Sequence, residues 1–436
     1  MVSSMRNMKN SGIEWVGEIP EDWEVRKVKD YYELQIGFTP DTKRQDYYDD
    51  EGGYDWVTIS DLSNEKFIYN TKNKISKKFI IEKKPEIIPK GSLLYSFKLS
   101  VGQVAFAGKD IYSNEAIASF LNKDNCSLRF LYYSSFMIIE NANENIYGAK
   151  LLNQNLINNA NIIFPTLEEQ ELIADYLDNK VKEIDNIISK TQETIEEYKK
   201  YKQSVITEAV TKGLNANVEM KDSGIEWIGE IPFTYKLTTL KRFSNIRYGL
   251  SKPPKYDDDG VPIIRATNIE RGKIIDSNLI KSNIIDIPSS KDVTLKEGDI
   301  IIVRSGAYAG DIGYITKKWE NSLAGYDMII TLKDIDSKFV AYSLLSDYVL
   351  KNQLYLSRMR SAQPHLNAEE VGVVKLIVPP SKDQKQITNY LDRKCTEIDN
   401  LITKKQELIT QLEQYKKSLI YECVTGKKEV SPAYAY

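Results

Sequence analysis

Few side chains in this 436-residue chain stand where proton transfer, nucleophilic attack or metal ligation could use them. Its one histidine, His365, lies in Ser-Ala-Gln-Pro-His-Leu-Asn and reads as a structural or contact residue. Cys126, Cys395 and Cys423 are far apart, odd in number and never in a CxxC pair. A structural zinc needs about four nitrogen or sulfur ligands, so no metal site is expected. The cysteines read instead as buried thiols of a reducing cytoplasm. Asp41-Thr42-Lys43 and Glu82-Lys83-Lys84 have the carboxylate-x-Lys form used by some nucleases, but with 28% of residues charged such triplets arise by chance. There is no GxxxxGK[ST] loop to cradle a triphosphate and no GxGxxG after a strand. There is also no Asn-Pro-Pro-aromatic run for methylating an adenine amino group, and Lys252-Pro-Pro-Lys255 lacks both the Asn and the aromatic. No catalytic residue and no cofactor are expected. The chain reads as a binding protein.

The hydrophobic content of 42% suits a globular protein, and the length suits two to four domains at about 100–200 residues each. No run of about 18 apolar residues predicts a membrane span, and the start, Met-Val-Ser-Ser-Met-Arg-Asn, has no secretory pattern. The net charge of −3 does not by itself announce a nucleic-acid binder, yet a local basic face is enough to meet phosphates. Tyrosine is plentiful at 28 residues and suits recognition surfaces, joining a flat ring to a hydrogen-bonding tip.

What organises the chain is duplication. Ser11–Pro20 reads SGIEWVGEIP and Ser223–Pro232 reads SGIEWIGEIP. Pro165–Thr211 lies on Pro379–Thr425 without a gap at an offset of 214, with 23 of 47 positions identical. Both repeats follow from one duplication of about 214 residues. Each half has an opening motif, a variable region and a closing helix.

The closing segments carry apolar residues at spacings of three, four and seven. Leu177, Ile184, Ile187, Ile188, Ile195, Tyr198, Tyr201 and Val205 form the first seam, and Leu391, Ile398, Leu401, Ile402, Ile409, Leu412, Tyr415 and Leu419 the second. Each predicts a helix of about 40 residues whose stripe needs a partner, most obviously the other copy. In the variable regions, Asp55–Leu62, Ser92–Phe97 and Gly102–Gly108 read as strands, as do Val261–Ile269, Gly298–Gly306 and Gly310–Thr316. Phe130–Ile139 and Phe339–Leu350 read as short buried helices. Trp15 and Trp227 read as packing anchors.

This layout resembles the specificity subunits of type I restriction–modification systems over nearly the whole chain. Four features carry the resemblance: the opening Gly17-Glu-Ile-Pro-Glu-Asp-Trp23; Trp56-Val-Thr-Ile-Ser-Asp-Leu62 after Gly37-Phe-Thr-Pro-Asp-Thr-Lys43; the junction Phe164-Pro-Thr-Leu-Glu-Glu-Gln170; and the junction Val378-Pro-Pro-Ser-Lys-Asp-Gln384. The second opening departs from the pattern, because Phe233-Thr-Tyr235 replaces Glu-Asp-Trp. The resemblance implies an α+β fold: two strand-rich mixed α/β target recognition domains joined by two long helices in an antiparallel coiled coil, a pseudo-two-fold tandem duplication. The expected boundaries are 1–164 for the first recognition domain, 165–213 for the first helix, 214–379 for the second domain, 380–427 for the second helix and 428–436 for a tail.

The resemblance further implies double-stranded DNA, two methyltransferase subunits and restriction–translocation subunits as partners, with no membrane association. Contacts should come from side chains that reach base edges or phosphates near the predicted strand ends. In the first domain these are Thr39, Lys43, Arg44, Lys98, Ser100 and Asn114. In the second they are Lys252, Lys255, Arg265, Asn268, Arg304, Ser305, Tyr308, Arg358 and Arg360. The alternative is a duplicated coiled-coil adaptor that binds proteins and has no DNA specificity.

Overall fold

A computed structural model describes residues 6–49, 51–62, 65–98, 100–140, 142–144, 150–252, 254–283, 285, 292–358 and 364–431. Four helices position the site: α1 (Leu128–Ser134), α2 (Leu167–Lys212), α3 (Ser337–Leu345) and α4 (Ser381–Val424). The chain forms two compact units, one of Met1–Lys190 with Leu408–Tyr436 and one of Thr191–Glu407. Each long helix is thus divided between the two units.

In the first unit a five-stranded sheet runs in the order Glu33–Ile36, Ile117–Leu121, Leu93–Ser96, Val104–Ala107, Phe67–Ile68. Beside it, Tyr54–Val57 pairs in parallel with Tyr112–Ser113. The opening motif forms a hairpin, Met8–Asn10 against Glu18–Pro20. Its loop needs Gly12 and Gly17, both at positive φ near +75°, where a side chain would be strained. Asn10 Oδ1 accepts from the Gly12 amide at 2.8 Å and Ser11 Oγ from that of Ile13 at 3.1 Å, which closes the turn. The early part of α2 packs through Leu177 and Ile184 into the same core as Leu419, Cys423 and Val424 of α4. Lys416 donates to Asp185 at 2.6 Å, so the helix segments run antiparallel here.

The second unit repeats this plan. Its sheet runs Ser244–Tyr248, Met328–Leu332, Ile300–Ile302, Ile312–Tyr314, and Tyr256–Ile264 pairs in parallel with Leu323–Ala324. Met220–Asp222 and Glu230–Pro232 form the second hairpin. Asp222 caps Gly224 and Ser223 caps Ile225, as their counterparts do. Val205 and Val210 of α2 share a core with Ile387 and Leu391 of α4. Lys202 donates to Asp399 at 2.7 Å, again antiparallel. This ion pair is the repeat equivalent of Lys416–Asp185. Such partly exposed pairs are worth at most about 1 kcal/mol, so they fix register more than stability.

Several expectations need correction. The strand from Asp55 ends at Val57, and Ile59–Leu62 is a 3-10 turn. Asp61 accepts from both the amide and the hydroxyl of Thr58 at 2.7 Å and turns the chain. Likewise the strand expected to run to Ile269 breaks at Arg265, before a 3-10 turn over Ala266–Asn268. The two short helices each split, into Leu128–Ser134 with Phe136–Ile139 and into Ser337–Leu345 with Asp347–Val349.

Trp15 and Trp227 are 40% and 41% exposed. The first packs on Phe136 and Tyr421 and the second on Tyr348, so each anchors with only one part of its ring. The buried aromatics of the opening motifs are Trp23 and Tyr235, at 2% and 4% exposure. Trp23 Nε1 donates to Glu169 at 3.1 Å, and Tyr235 seats against Gly213 just after α2. All three cysteines are buried. Desolvation pushes Cys395 to about 11 and Cys423 to about 12, which keeps both as inert thiols.

Candidate nucleic-acid interface

Each unit gathers three loops at one end of its sheet. In the first unit the loop after Ile36 bonds to the loop after Tyr112, with Phe38 N–H to the Ser113 carbonyl at 2.9 Å. Asn114 N–H donates to Val57 at 2.9 Å, and Phe97 N–H to Ala116 at 3.0 Å. In the second unit Leu250 N–H donates to Ala324 at 3.1 Å and Gly325 N–H to Ile264 at 2.8 Å. Arg304 N–H donates to the Asp327 carboxylate at 3.1 Å. The junction is the same construction made twice. Glycine is required at each approach, because a Cβ on Gly37 would lie 2.2 Å from the Asn114 carbonyl and one on Gly249 2.1 Å from that of Gly325.

The junction brings together most of the first-domain candidates. Thr39, Lys43 and Arg44 are exposed on the first loop. An open cleft of about 590 Å³, lined by Phe38, Thr39, Pro40, Arg44, Phe79 and Lys83, lies alongside. Arg44 holds Asp46 through Nε and Nη2 at 2.8 Å each and lies 4.2 Å from the Tyr47 ring. The Arg44 hydrogen bonds, with that of Lys78, keep Asp46 well below the usual carboxylate range. Asp46 thus occupies the Nε and Nη2 side of the Arg44 guanidinium. Lys98 and Ser100 are exposed on the second loop, and Ser100 adopts φ +43°. Asn114 uses Oδ1 to accept from the Ala116 amide at 3.1 Å within its own loop.

In the second unit Lys252 and Lys255 are exposed on the loop after Gly249. Arg265 is partly buried and donates through Nη2 to the Asn278 carbonyl at 2.7 Å. Asn268 does not belong with the others. It is fully buried, accepts from Arg265 N–H at 3.3 Å and donates to the Ser277 carbonyl at 2.9 Å. It is the structural counterpart of Asp61, a turn-former expected from sequence among the DNA contacts. Tyr308 is 57% exposed beyond Ser305. Arg358 ends the helix Tyr355–Arg358, while Arg360 lies outside the described residues.

Arg304 is the centre of this junction. Its guanidinium lies 4.8 Å from the Tyr248 ring and 4.7 Å from the Tyr326 ring. Its Nη2 stands 3.4 Å from His365 Nε2, and Ser305 Oγ is 2.9 Å from His365 Nδ1. These contacts are satisfied when Nδ1–H donates to Ser305 and Nε2 accepts from Arg304. Sequence reasoning missed Tyr248, Tyr326 and Asp327. Two tyrosines just beside the glycines that open the loops, Tyr248-Gly249 and Gly325-Tyr326, were the available signal. Asp327 is buried, and desolvation raises it to about 6 against the pull of the Arg304 and Ala266 backbone hydrogen bonds.

A second set of contacts fixes each unit's α1 or α3 segment to a long helix. Asp178 of α2 accepts from Arg129 at 2.7 Å, from the Tyr133 hydroxyl and from Lys66. Its repeat equivalent, Asp392 of α4, accepts from Lys338 at 2.5 Å and from Tyr342 at 2.8 Å.

The junctions offer hydrogen-bond donors, cations and flat rings on loops held by a rigid sheet, which is what reading a polymer surface requires. The family described as type I restriction modification DNA specificity domain matches residues 20–197 and 234–414, and the chain belongs to that family. It is 24% identical to the type I restriction enzyme MjaIX specificity subunit of Methanocaldococcus jannaschii, over 95% of each chain. It is 26% identical to the MjaVIII specificity subunit of the same organism, over 94% of each. A chain from a solved type I restriction–modification system, studied for complex assembly and conformational transition, superposes with a TM-score of 0.70 at 14% identity. That match covers 94% of this chain and 99% of the other and speaks for the fold. The chain is thus a non-catalytic DNA-recognition subunit of a type I restriction–modification system, and the adaptor alternative is not favoured. No helix among the described residues is long and apolar enough to cross a membrane.

Proposed function

We propose that the chain reads a bipartite double-stranded DNA site, one half with each three-loop junction, and that the two long helices set the spacer between the halves. The observation that carries this reading is the junction itself: one backbone construction, built twice, with different side chains on its loops. A common frame with divergent tips is what two different half-sites demand of one duplicated chain. The proposed contacts are Thr39, Lys43, Arg44, Lys98, Ser100, Asn114, Lys252, Lys255, Arg265, Arg304, Ser305, Tyr308, Arg358 and Arg360. The subunit works in the cytoplasm with two methyltransferase subunits and with restriction–translocation subunits, and the recognition domains are bounded as 1–164 and 214–379.

The test is DNA affinity against salt, measured on the chain co-purified with its methyltransferase. A complex holding six to ten phosphates loses about a thousandfold or more in affinity between 50 and 200 mM salt. A complex with no DNA affinity at low salt would contradict the reading.

A further inference from the structure

Arg304 differs from the other basic candidates in how it is held. Two half-exposed tyrosine rings, Tyr248 at 44% and Tyr326 at 52%, flank its guanidinium. A histidine ring at 3.4 Å, not a carboxylate, takes one of its hydrogens. The histidine is itself fixed by Ser305 at 2.9 Å, and the Leu366 amide bonds back to the Arg304 carbonyl at 2.9 Å. Ring stacking and an imidazole acceptor orient the guanidinium plane. Nε is buried and has no partner. His365 takes one Nη2 hydrogen, so any ligand is left the other Nη2 hydrogen and the two on Nη1. A planar pair of donors of that kind matches the two acceptors, O6 and N7, that guanine alone presents side by side in the major groove.

The described residues of the first unit hold no equivalent. Ile302 pairs with Ile312 as Tyr95 pairs with Val104. Two residues beyond these positions stand Arg304 in one unit and the buried Phe97 in the other. The partner of Met328 in the sheet is Tyr248, and the partner of Ala118 is Ile36. Both the reader and one wall of its clamp are thus missing from the first junction.

We propose that Arg304, clamped by Tyr248, Tyr326 and His365, reads a guanine in the half-site of the second recognition domain and in that half only. This rests on the proposed bipartite reading. Preorganisation matters here because an arginine that must be ordered on binding loses side-chain entropy, whereas this one is already fixed.

The test has two arms, both on the complex with the methyltransferase subunits. The first compares the methylated motif of wild type with that of Arg304→Lys, which keeps the charge and loses the fork. The expected result is a motif whose second half relaxes at one G·C pair while its first half is unchanged. The second arm keeps the protein intact and replaces that guanine by 7-deazaguanine, which removes the N7 acceptor. Affinity should fall about tenfold, the order of discrimination expected of one bidentate contact. This arm decides the matter should the variant fail to fold. Three results overturn the proposal: an unchanged motif, a change in the first half, or an even loss across all sequences with a shallower salt dependence, which marks a phosphate contact. If wild type itself yields no bipartite motif, the reading beneath this proposal fails instead.

Discussion

Gln170 and Gln384 stand 214 positions apart and make the same two hydrogen bonds. Gln170 Nε2 donates to the Pro165 carbonyl at 2.9 Å, and its Oε1 accepts from Ser127 N–H at 2.9 Å. Gln384 donates to Pro379 at 2.8 Å and accepts from Asp336 N–H at 3.0 Å. Both glutamines are buried, at 0% and 4% exposure. Ser127 and Asp336 are the N-caps of α1 and α3, so each glutamine ties the start of a long helix to the start of a short one.

Replacing either glutamine by leucine should therefore be costly. The change leaves one buried N–H and one buried carbonyl without partners, at about 1–3 kcal/mol each. Thermal unfolding of Gln170→Leu and Gln384→Leu should show comparable losses of about 2–4 kcal/mol. A loss within about 0.5 kcal/mol, the range of ordinary surface changes, would mean that these bonds do not hold the helices.

The helices and their pairing were legible in the sequence because apolar period and repeat offset agreed over 47 positions. The strand ends were not. Asp61 and Asn268 look like surface polar residues in sequence and act as turn-formers, which only their bonds to Thr58 and Ser277 disclose. Asn268, expected from sequence to be a DNA contact, is buried for the same reason. The clamp around Arg304 was invisible too, since Tyr248, Tyr326 and His365 reach it from separate segments. The opening tryptophans, expected to be packing anchors, pack on Phe136, Tyr421 and Tyr348 and keep about 40% of their surface in solvent.

Asp327 gives the second junction a pH dependence. Its folded-state value is raised to about 6 by burial, above the unfolded value near 4. The folded state thus binds the proton more tightly, and this residue's contribution to stability falls as pH rises from about 4 to about 6. Two pKa units correspond to about 2–3 kcal/mol at most. Measured against Asp327→Asn, wild type should lose melting temperature across that window, and the difference should be flat above it. A constant difference from pH 4 to pH 7 would show that the carboxyl titrates normally.

Modularity predicts the outcome of a domain exchange. Exchanging Ser223–Val378 for the corresponding region of a relative should change one half of the methylated site and leave the other. If both halves change, the two junctions do not read independently.

Assembly offers another check. Co-expression with the cognate methyltransferase should give a complex of two such subunits per chain, visible by mass photometry. A monodisperse monomer that binds its site at nanomolar concentration unaided would contradict the proposed dependence on partners.

The helices as a ruler can be tested by inserting four residues near Gln192 and near Gln406 together, which keeps the antiparallel seams in register. About 6 Å is added per helix, nearly two base pairs at about 3.4 Å each. The inserted turn also rotates each helix by roughly 40° past a full turn, so the outcome is a longer spacer or lost recognition. A stable variant that still methylates the original spacer would remove the ruler from the account.

The most direct test of the central claim is methylome sequencing of a methylation-free host carrying the methyltransferase subunit, with and without this chain. The account predicts a bipartite motif, two specific halves separated by a fixed non-specific spacer, present only when the chain is expressed. The same methylation without the chain, or a single continuous motif with it, would contradict the claim that this subunit reads a split site.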